Sequence, residues 1–314
     1  MRGMVIRGSR NIFTVRPETG GEIECRIKGK ILKGVEGYCN PLAPGDWVTL
    51  EEESSCPRRG FILGLEERRN SFSRRNQRGI DSRRSRTSQI LAANVDLVLC
   101  VTSPASPPFR PRFLDRLLLQ ADIAGIPGVI LCNKWDLFDG DPDIEERLED
   151  FSRIGYKVLR VSAKTGAGME ALEALLENRF SVLVGQSGVG KSSLVNVLIP
   201  EAFMRVGNLN EKYNRGNHTT SMSVTMEGRR HSRIIDTPGL RQFVPDGVTP
   251  DDLILYMREF GSLAGKCSFG FSCSHRTEPG CKILEAVTAG VIHEDRYESF
   301  LRIRDELLEN PYDD

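Results

Sequence analysis

The chain has 314 residues, too many for one small domain and enough for two or three of about 100 to 200 residues each. Hydrophobic residues at 39% and charged residues at 27% exclude a largely disordered chain, and 43 basic residues matched by 43 acidic ones exclude a polycation that coats nucleic acid along its whole length. The distribution is uneven: Glu66 to Ile90 holds eight arginines against three acidic residues, while Leu91 to Asp314 holds 25 basic residues against 32 acidic ones.

No apolar run approaches the roughly 20 residues that span a bilayer. Cys25, Cys39, Cys56, Cys100 and Cys132 are scattered singly, as buried small hydrophobes are, and not paired as in a disulfide framework. Both features point to a cytoplasmic protein with no membrane partner.

From Met4 to about Leu65 the chain reads as short β-rich runs, such as Ile12 to Val15, Ile23 to Ile27 and Trp47 to Leu50, separated by turn signals at Glu18 to Gly21 and Pro44 to Asp46. About five strands in that length predict a small closed β-barrel of the OB type over 1–67, although an SH3-like barrel would read much the same. Residues 68–90 carry Arg68, Arg69, Arg74, Arg75, Arg78, Arg83, Arg84 and Arg86 with almost no apolar residues, and read as a mobile basic linker.

The pattern then changes to strand, helix, strand: Asp96 to Val101, Phe113 to Ala124, Gly128 to Cys132, Ile144 to Ile154, Lys157 to Val161. Such alternation predicts an α/β domain with a mostly parallel sheet over 91–247. From 248 to 314 the apolar spacing is helical, at Asp251 to Phe260, Ile283 to Ala289 and Glu294 to Glu309, which predicts a small α-helical domain.

Gly185-Gln186-Ser187-Gly188-Val189-Gly190-Lys191-Ser192 fits the P-loop pattern, follows the apolar strand Ser181 to Val184 and opens a helix at Ser193. Glycines let the backbone wrap phosphates, amides point inward at the helix N-terminus, Lys191 reaches the β- and γ-phosphates and Ser192 ligates Mg²⁺. A P-loop alone does not separate ATP from GTP. Asn133-Lys134-Trp135-Asp136, directly after a strand, resembles the guanine-reading NKxD motif: Asp136 would accept from the ring N–H and exocyclic amine of guanine, Asn133 would tie the loop together and the Lys134 stem would cover the base. Ser162-Ala163-Lys164 resembles the SAK element, whose backbone amide meets the guanine carbonyl. Asp236-Thr237-Pro238-Gly239 resembles the DxxG element that holds Mg²⁺ through water and senses the γ-phosphate. Thr219 and Thr220 are both candidates for a switch threonine on the metal, with Thr220 preferred.

In ordinary GTPases the P-loop precedes the base-reading motifs, whereas here it follows them, so the domain reads as circularly permuted. The segment after Gly239 then leaves from the switch region, and the C-terminal domain is expected to report on it or brace it. Leu240 stands where many GTPases have a water-orienting glutamine. His218, beside the two threonines, is a candidate for that role, or a residue that only hydrogen-bonds the switch loop.

Together these motifs, with Ala92 to Asp96 and Arg215 to Thr220, make the chain resemble the RsgA family of circularly permuted GTPases over nearly all of its length. That resemblance implies an OB barrel, a permuted GTPase domain and a zinc domain. It also implies a monomer that binds the small ribosomal subunit and its rRNA, assists late maturation, and hydrolyses GTP to GDP slowly unless the subunit stimulates it. Cys267, Cys273, His275 and Cys281 form the Cys₃His set of one closed structural zinc site, with one residue more between the first two cysteines than the family pattern; buried thiols beside a surface histidine are the alternative. The basic segment next to an OB barrel suggests RNA contact, the alternative being a plain tether. A different class of function, a nucleotide-gated RNA-binding or chaperone module with incidental hydrolysis, fits the same motifs.

Overall fold

The computed structural model describes residues 1–9, 11–29, 38–53, 56–75, 88–199 and 223–309. Strands β1 (Arg2–Ser9), β2 (Ile12–Pro17), β3 (Ile23–Ile27), β4 (Trp47–Glu53) and β5 (Cys56–Leu65) close into a barrel in the order β1-β2-β3-β5-β4. Alternate residues, among them Val5, Phe13, Val15, Cys25, Val48 and Ile62, turn inward and fill it. β3 runs parallel to β5 while the other neighbours are antiparallel. That crossing is the OB-type order, not the SH3-like alternative, in which consecutive strands pair.

The expected linker over 68–90 is corrected at both ends. β6 (Ser71–Arg75) and β7 (Ser88–Ala93) pair as an antiparallel ribbon. The physical reason is that its few apolar residues are placed to be buried and its first arginines find internal partners. Phe72 lies against Phe243 with ring centroids 5.7 Å apart, Arg68 grips Asp46 with two bonds of 2.7 and 2.8 Å, and Arg69 reaches Asp96 at 2.7 Å. Arg78, Arg83, Arg84 and Arg86 lie outside the described residues.

The central sheet comprises β8 (Leu97–Thr102), β9 (Gly128–Cys132), β10 (Lys157–Arg160), β11 (Phe180–Gly185), β12 (Val224–Glu227) and β13 (Arg233–Asp236), in the order β10-β9-β8-β11-β13-β12. Only β12, at the edge, is antiparallel to its neighbour. β8, β9 and β11 are buried at every residue because both faces are covered, which is why they read as continuous apolar runs. Val98, Cys100, Ile130 and Val182 face helices α1 (Pro111–Ile123) and α2 (Pro142–Arg153). Leu97, Leu99, Leu131 and Leu183 face α3 (Met169–Leu176) and α4 (Lys191–Leu198). α2 starts sharply because Asp141 caps it, accepting from the Asp143 amide at 3.0 Å, and Pro142 supplies a helical φ at the first position.

Beyond the sheet lie α5 (Leu253–Tyr256), α6 (Arg258–Gly261), α7 (Lys282–Thr288) and α8 (Glu294–Glu309). The single helix expected over Asp251 to Phe260 is broken at Met257, whose extended φ of −93° and ψ of 113° send its side chain into the core beside Phe260. This lobe is clamped to the sheet domain by buried charges. Arg296 of α8 donates to Asp115 of α1 at 2.8 Å and to Glu259 of α6 at 2.6 and 2.8 Å, and Arg147 of α2 donates to Asp115 at 3.2 Å and Asp150 at 2.6 Å. No helix among the described residues is long and apolar enough to cross a membrane.

Candidate nucleotide site and metal centre

The loops that follow β8, β9, β10, β11 and β13 meet at the carboxyl edge of the parallel sheet, where α/β proteins bind ligands. Gly185 ends β11, and the loop Gln186 to Gly190 leads directly into α4 at Lys191. Gly190 caps that helix at φ 91°, and a Cβ there would stand 2.3 Å from Asn133 Nδ2, so only glycine fits between the P-loop and the base loop. Ser187 and Gly188 are exposed, Val189 and Gln186 are buried, and Ser192 and Ser193 stand on the first turn of α4. The Lys191 ammonium donates to the carbonyls of Gly185 and Gln186, each at 3.0 Å, and is nearly enclosed.

Asn133 is the knot of the site. Its Nδ2 donates to Val189 O at 2.9 Å, its Oδ1 accepts from the Ala163 amide at 3.1 Å, and its own amide donates to Thr102 O at 2.9 Å. One buried side chain thus fixes the P-loop against both loops resembling base-reading motifs. Ser162 Oγ donates to Asp136 Oδ1 at 2.5 Å, which aims that carboxylate, and Lys164 Nζ stands 3.9 Å from Asp136 Oδ2. The turn Trp135–Leu137 that carries Asp136 is stiffened by Trp135 stacking on Phe138 at 4.2 Å. Lys134, at φ 60°, folds back so that its ammonium donates to Gly188 O at 2.7 Å and to Ser106 O. The Ser106 loop escaped the sequence reading because a backbone carbonyl carries no side-chain signature.

Asp236 ends β13 beside Lys191, and Ser192 Oγ lies 3.4 Å from Asp236 Oδ2. Burial pushes the Asp236 carboxyl up to about 6 and the Lys191 ammonium down to about 8, each restrained by the other's charge. Desolvation therefore outweighs their attraction in the chain alone. Among the described residues Asp236 Oδ1 is buried without a hydrogen-bond partner, and a buried carboxylate oxygen beside a serine hydroxyl suits a hard, oxygen-seeking divalent cation such as Mg²⁺. Thr237 anchors the loop by donating to Leu183 O at 2.6 Å. Gly239 crosses the P-loop so closely that a Cβ would stand 2.6 Å from Ser187 Cα. Leu240 donates its amide to Gly185 O at 3.1 Å and is buried, so it is a packing residue and cannot polarise water. His218, Thr219 and Thr220 lie outside the described residues.

A second constellation sits in the C-terminal lobe. The donor atoms of Cys267, Cys273, His275 and Cys281 all fall within 4.8 Å of one another, and all four residues are buried. His275 Nδ1 lies 3.6 Å from Cys267 Sγ and 3.4 Å from Cys281 Sγ, and the two sulfurs are 3.9 Å apart. Tetrahedral zinc with bonds of about 2.3 Å to sulfur and 2.0 to 2.1 Å to nitrogen requires about 3.8 Å between sulfurs and about 3.6 Å from sulfur to nitrogen. The donor set fits that ion. Cys267 belongs to the cluster despite the extra residue before Cys273, because the short 3₁₀ turn Gly270–Ser272 takes up the added length.

A P-loop strand flanked by β8 and β13, with the NKxD-like and SAK-like loops arriving from strands earlier in the chain, defines a circularly permuted P-loop GTPase fold. The family model described as RsgA GTPase matches residues 65–245. Curated relatives include the small ribosomal subunit biogenesis GTPase RsgA of Chlorobaculum parvum, 37% identical over 98% of this chain and 99% of its own length, and RsgA 2 of Bacteroides thetaiotaomicron, 34% identical over 99% of both. Among solved structures, YjeQ from Thermotoga maritima aligns with a TM-score of 0.72 at 30% identity, covering 98% of each chain. YloQ, described as a circularly permuted GTPase, shares the fold with a TM-score of 0.69 over 100% of this chain and 96% of its own. The chain belongs to the RsgA GTPase family, and its activity is GTP hydrolysis.

Proposed function

We propose that this protein is a cytoplasmic, monomeric GTPase that binds the immature small ribosomal subunit through its rRNA, assists late maturation and leaves after hydrolysing GTP to GDP. The observation that carries the reading is the convergence on Asn133, which joins the P-loop to the loops bearing Asp136 and Ala163. The relatives' names supply the subunit.

Asp136 reads the guanine N–H groups, with Ser162 aiming its carboxylate and Lys164 beside it. The amides and glycines of Gly185 to Gly190 cradle phosphates, and Lys191 exchanges its two carbonyl partners for phosphate oxygens. Ser192 and Asp236, with Thr220 or Thr219, would hold Mg²⁺, which would supply neutralisation of the charge on the phosphates. With Leu240 unable to activate water, His218 orients it once the partner is bound, and this accounts for slow intrinsic turnover. Zinc on Cys267, Cys273, His275 and Cys281 is structural, since four protein ligands leave no open position.

The reading is tested by co-sedimentation with small subunits under a non-hydrolysable GTP analogue, GDP or no nucleotide. Binding is expected to be tightest with the analogue and to weaken steeply with salt, as phosphate contacts do. Nucleotide-independent, salt-insensitive binding would contradict it.

A further inference from the structure

The segment that leaves the DTPG loop is held by the ribbon. Asp246, six residues beyond Leu240 and nearly enclosed, accepts from Ser73 Oγ at 2.7 Å on one carboxylate oxygen and from Ser88 Oγ at 2.6 Å on the other. Its amide donates to Gln120 Oε1 on α1 at 2.6 Å. Upstream, the Arg75 amide donates to Val244 O at 3.1 Å and Arg116 of α1 donates to Phe243 O at 3.3 Å. The carboxylate therefore spans both strands of the ribbon, one serine on each, and pins the outlet of the loop whose Gly239 lies on Ser187 and whose Leu240 bonds to Gly185.

We propose that Asp246 is a positioning residue for GTP hydrolysis: the Ser73–Asp246–Ser88 clamp fixes the run from Leu240 to Val248 and thereby sets how Asp236 and Gly239 stand against the P-loop. The hydrogen bonds that place Asp246 run to the ribbon and to α1, on the outlet side of the DTPG loop, so the clamp acts on turnover and not on nucleotide capture. The geometry also gives β6 and β7 a role beyond joining barrel to sheet. A displacement of either strand reaches the γ-phosphate-sensing loop through one carboxylate.

The test is steady-state GTP hydrolysis by the full chain. The Ser73→Ala/Ser88→Ala double variant and Asp246→Ala are expected to lose about tenfold in kcat, counted per chain that binds nucleotide so that unfolded protein does not contribute, with KM for GTP held within about twofold. Asp246→Asn is expected to recover most of the rate, because each serine hydroxyl can donate to the amide oxygen or accept from the amide nitrogen. Where Asp246→Ala fails to fold, the double serine variant decides. Unchanged kcat in that variant, a raised KM with unchanged kcat, or an Asp246→Asn enzyme as slow as Asp246→Ala would each overturn the proposal.

Discussion

Asp136 and the Lys191–Asp236 pair are the residues whose chemistry is most exposed to test. An aspartate accepts from two adjacent donors of guanine, and losing a hydrogen bond to a charged group costs about 1.5 to 3 kcal/mol. Asp136→Asn is therefore expected to weaken GTP binding by about 10- to 100-fold in a titration and to leave the weak binding of ATP unchanged. The pH dependence follows from the two buried groups. The ordinary Asp236 value is 3.8 and burial raises it to about 6, so its contribution to stability is present at low pH and lost as pH rises through about 6. Lys191 falls from 10.5 to about 8, so the folded chain holds fewer protons than the unfolded one between those values, and this contribution grows as pH rises through that window. Metal and phosphate favour the ionised forms. Mg²⁺–nucleotide binding should release a proton below about pH 6, take one up above about pH 8 and be tightest between; calorimetry in buffers of different ionisation enthalpy measures both.

At the scale of elements, charge pairs differ sharply in worth according to burial. Asp115 serves two guanidiniums, and its removal leaves Arg147 and Arg296 buried with one partner fewer. Asp115→Ala is expected to cost about 3 to 5 kcal/mol in chemical denaturation. Arg16→Ala, which breaks the partly exposed pair with Glu227 between barrel and sheet, should cost under about 1 kcal/mol. The sheet and its helices were legible because β8, β9 and β11 are buried on both faces and so continuously apolar, while α2 and α8 carry clear helical spacing. The ribbon was not legible. Arg74 and Arg75 look like solvated charge, yet the Arg75 guanidinium donates to Val248 O and the Arg74 guanidinium to Gln89 on the paired strand and to Gln242 O, and the carbonyls of Gln242 and Val248 are far away in sequence. The break at Met257 was equally hidden, since an apolar residue fits a helical stripe and an extended kink alike.

For the whole molecule, permutation is the organising fact. With the NKxD-like and SAK-like loops ahead of the P-loop, the chain after Gly239 passes directly to the ribbon clamp, then to α1 and the C-terminal lobe, so the DTPG loop is tied on its outlet side to all three. The nucleotide motifs and the Cys₃His set were readable because their chemistry needs fixed residue types at fixed spacing. The coupling between them was not, because it depends on single contacts such as Ser73 to Asp246 across 173 positions. Activation by the small ribosomal subunit is the property on which this function turns. Its most direct test is GTP hydrolysis by the purified chain with and without small subunits, with ATP as control. Slow turnover alone, a rise on the order of 10³-fold or more with subunits, and no ATP hydrolysis are expected. GTP turnover that subunits leave unchanged would contradict it.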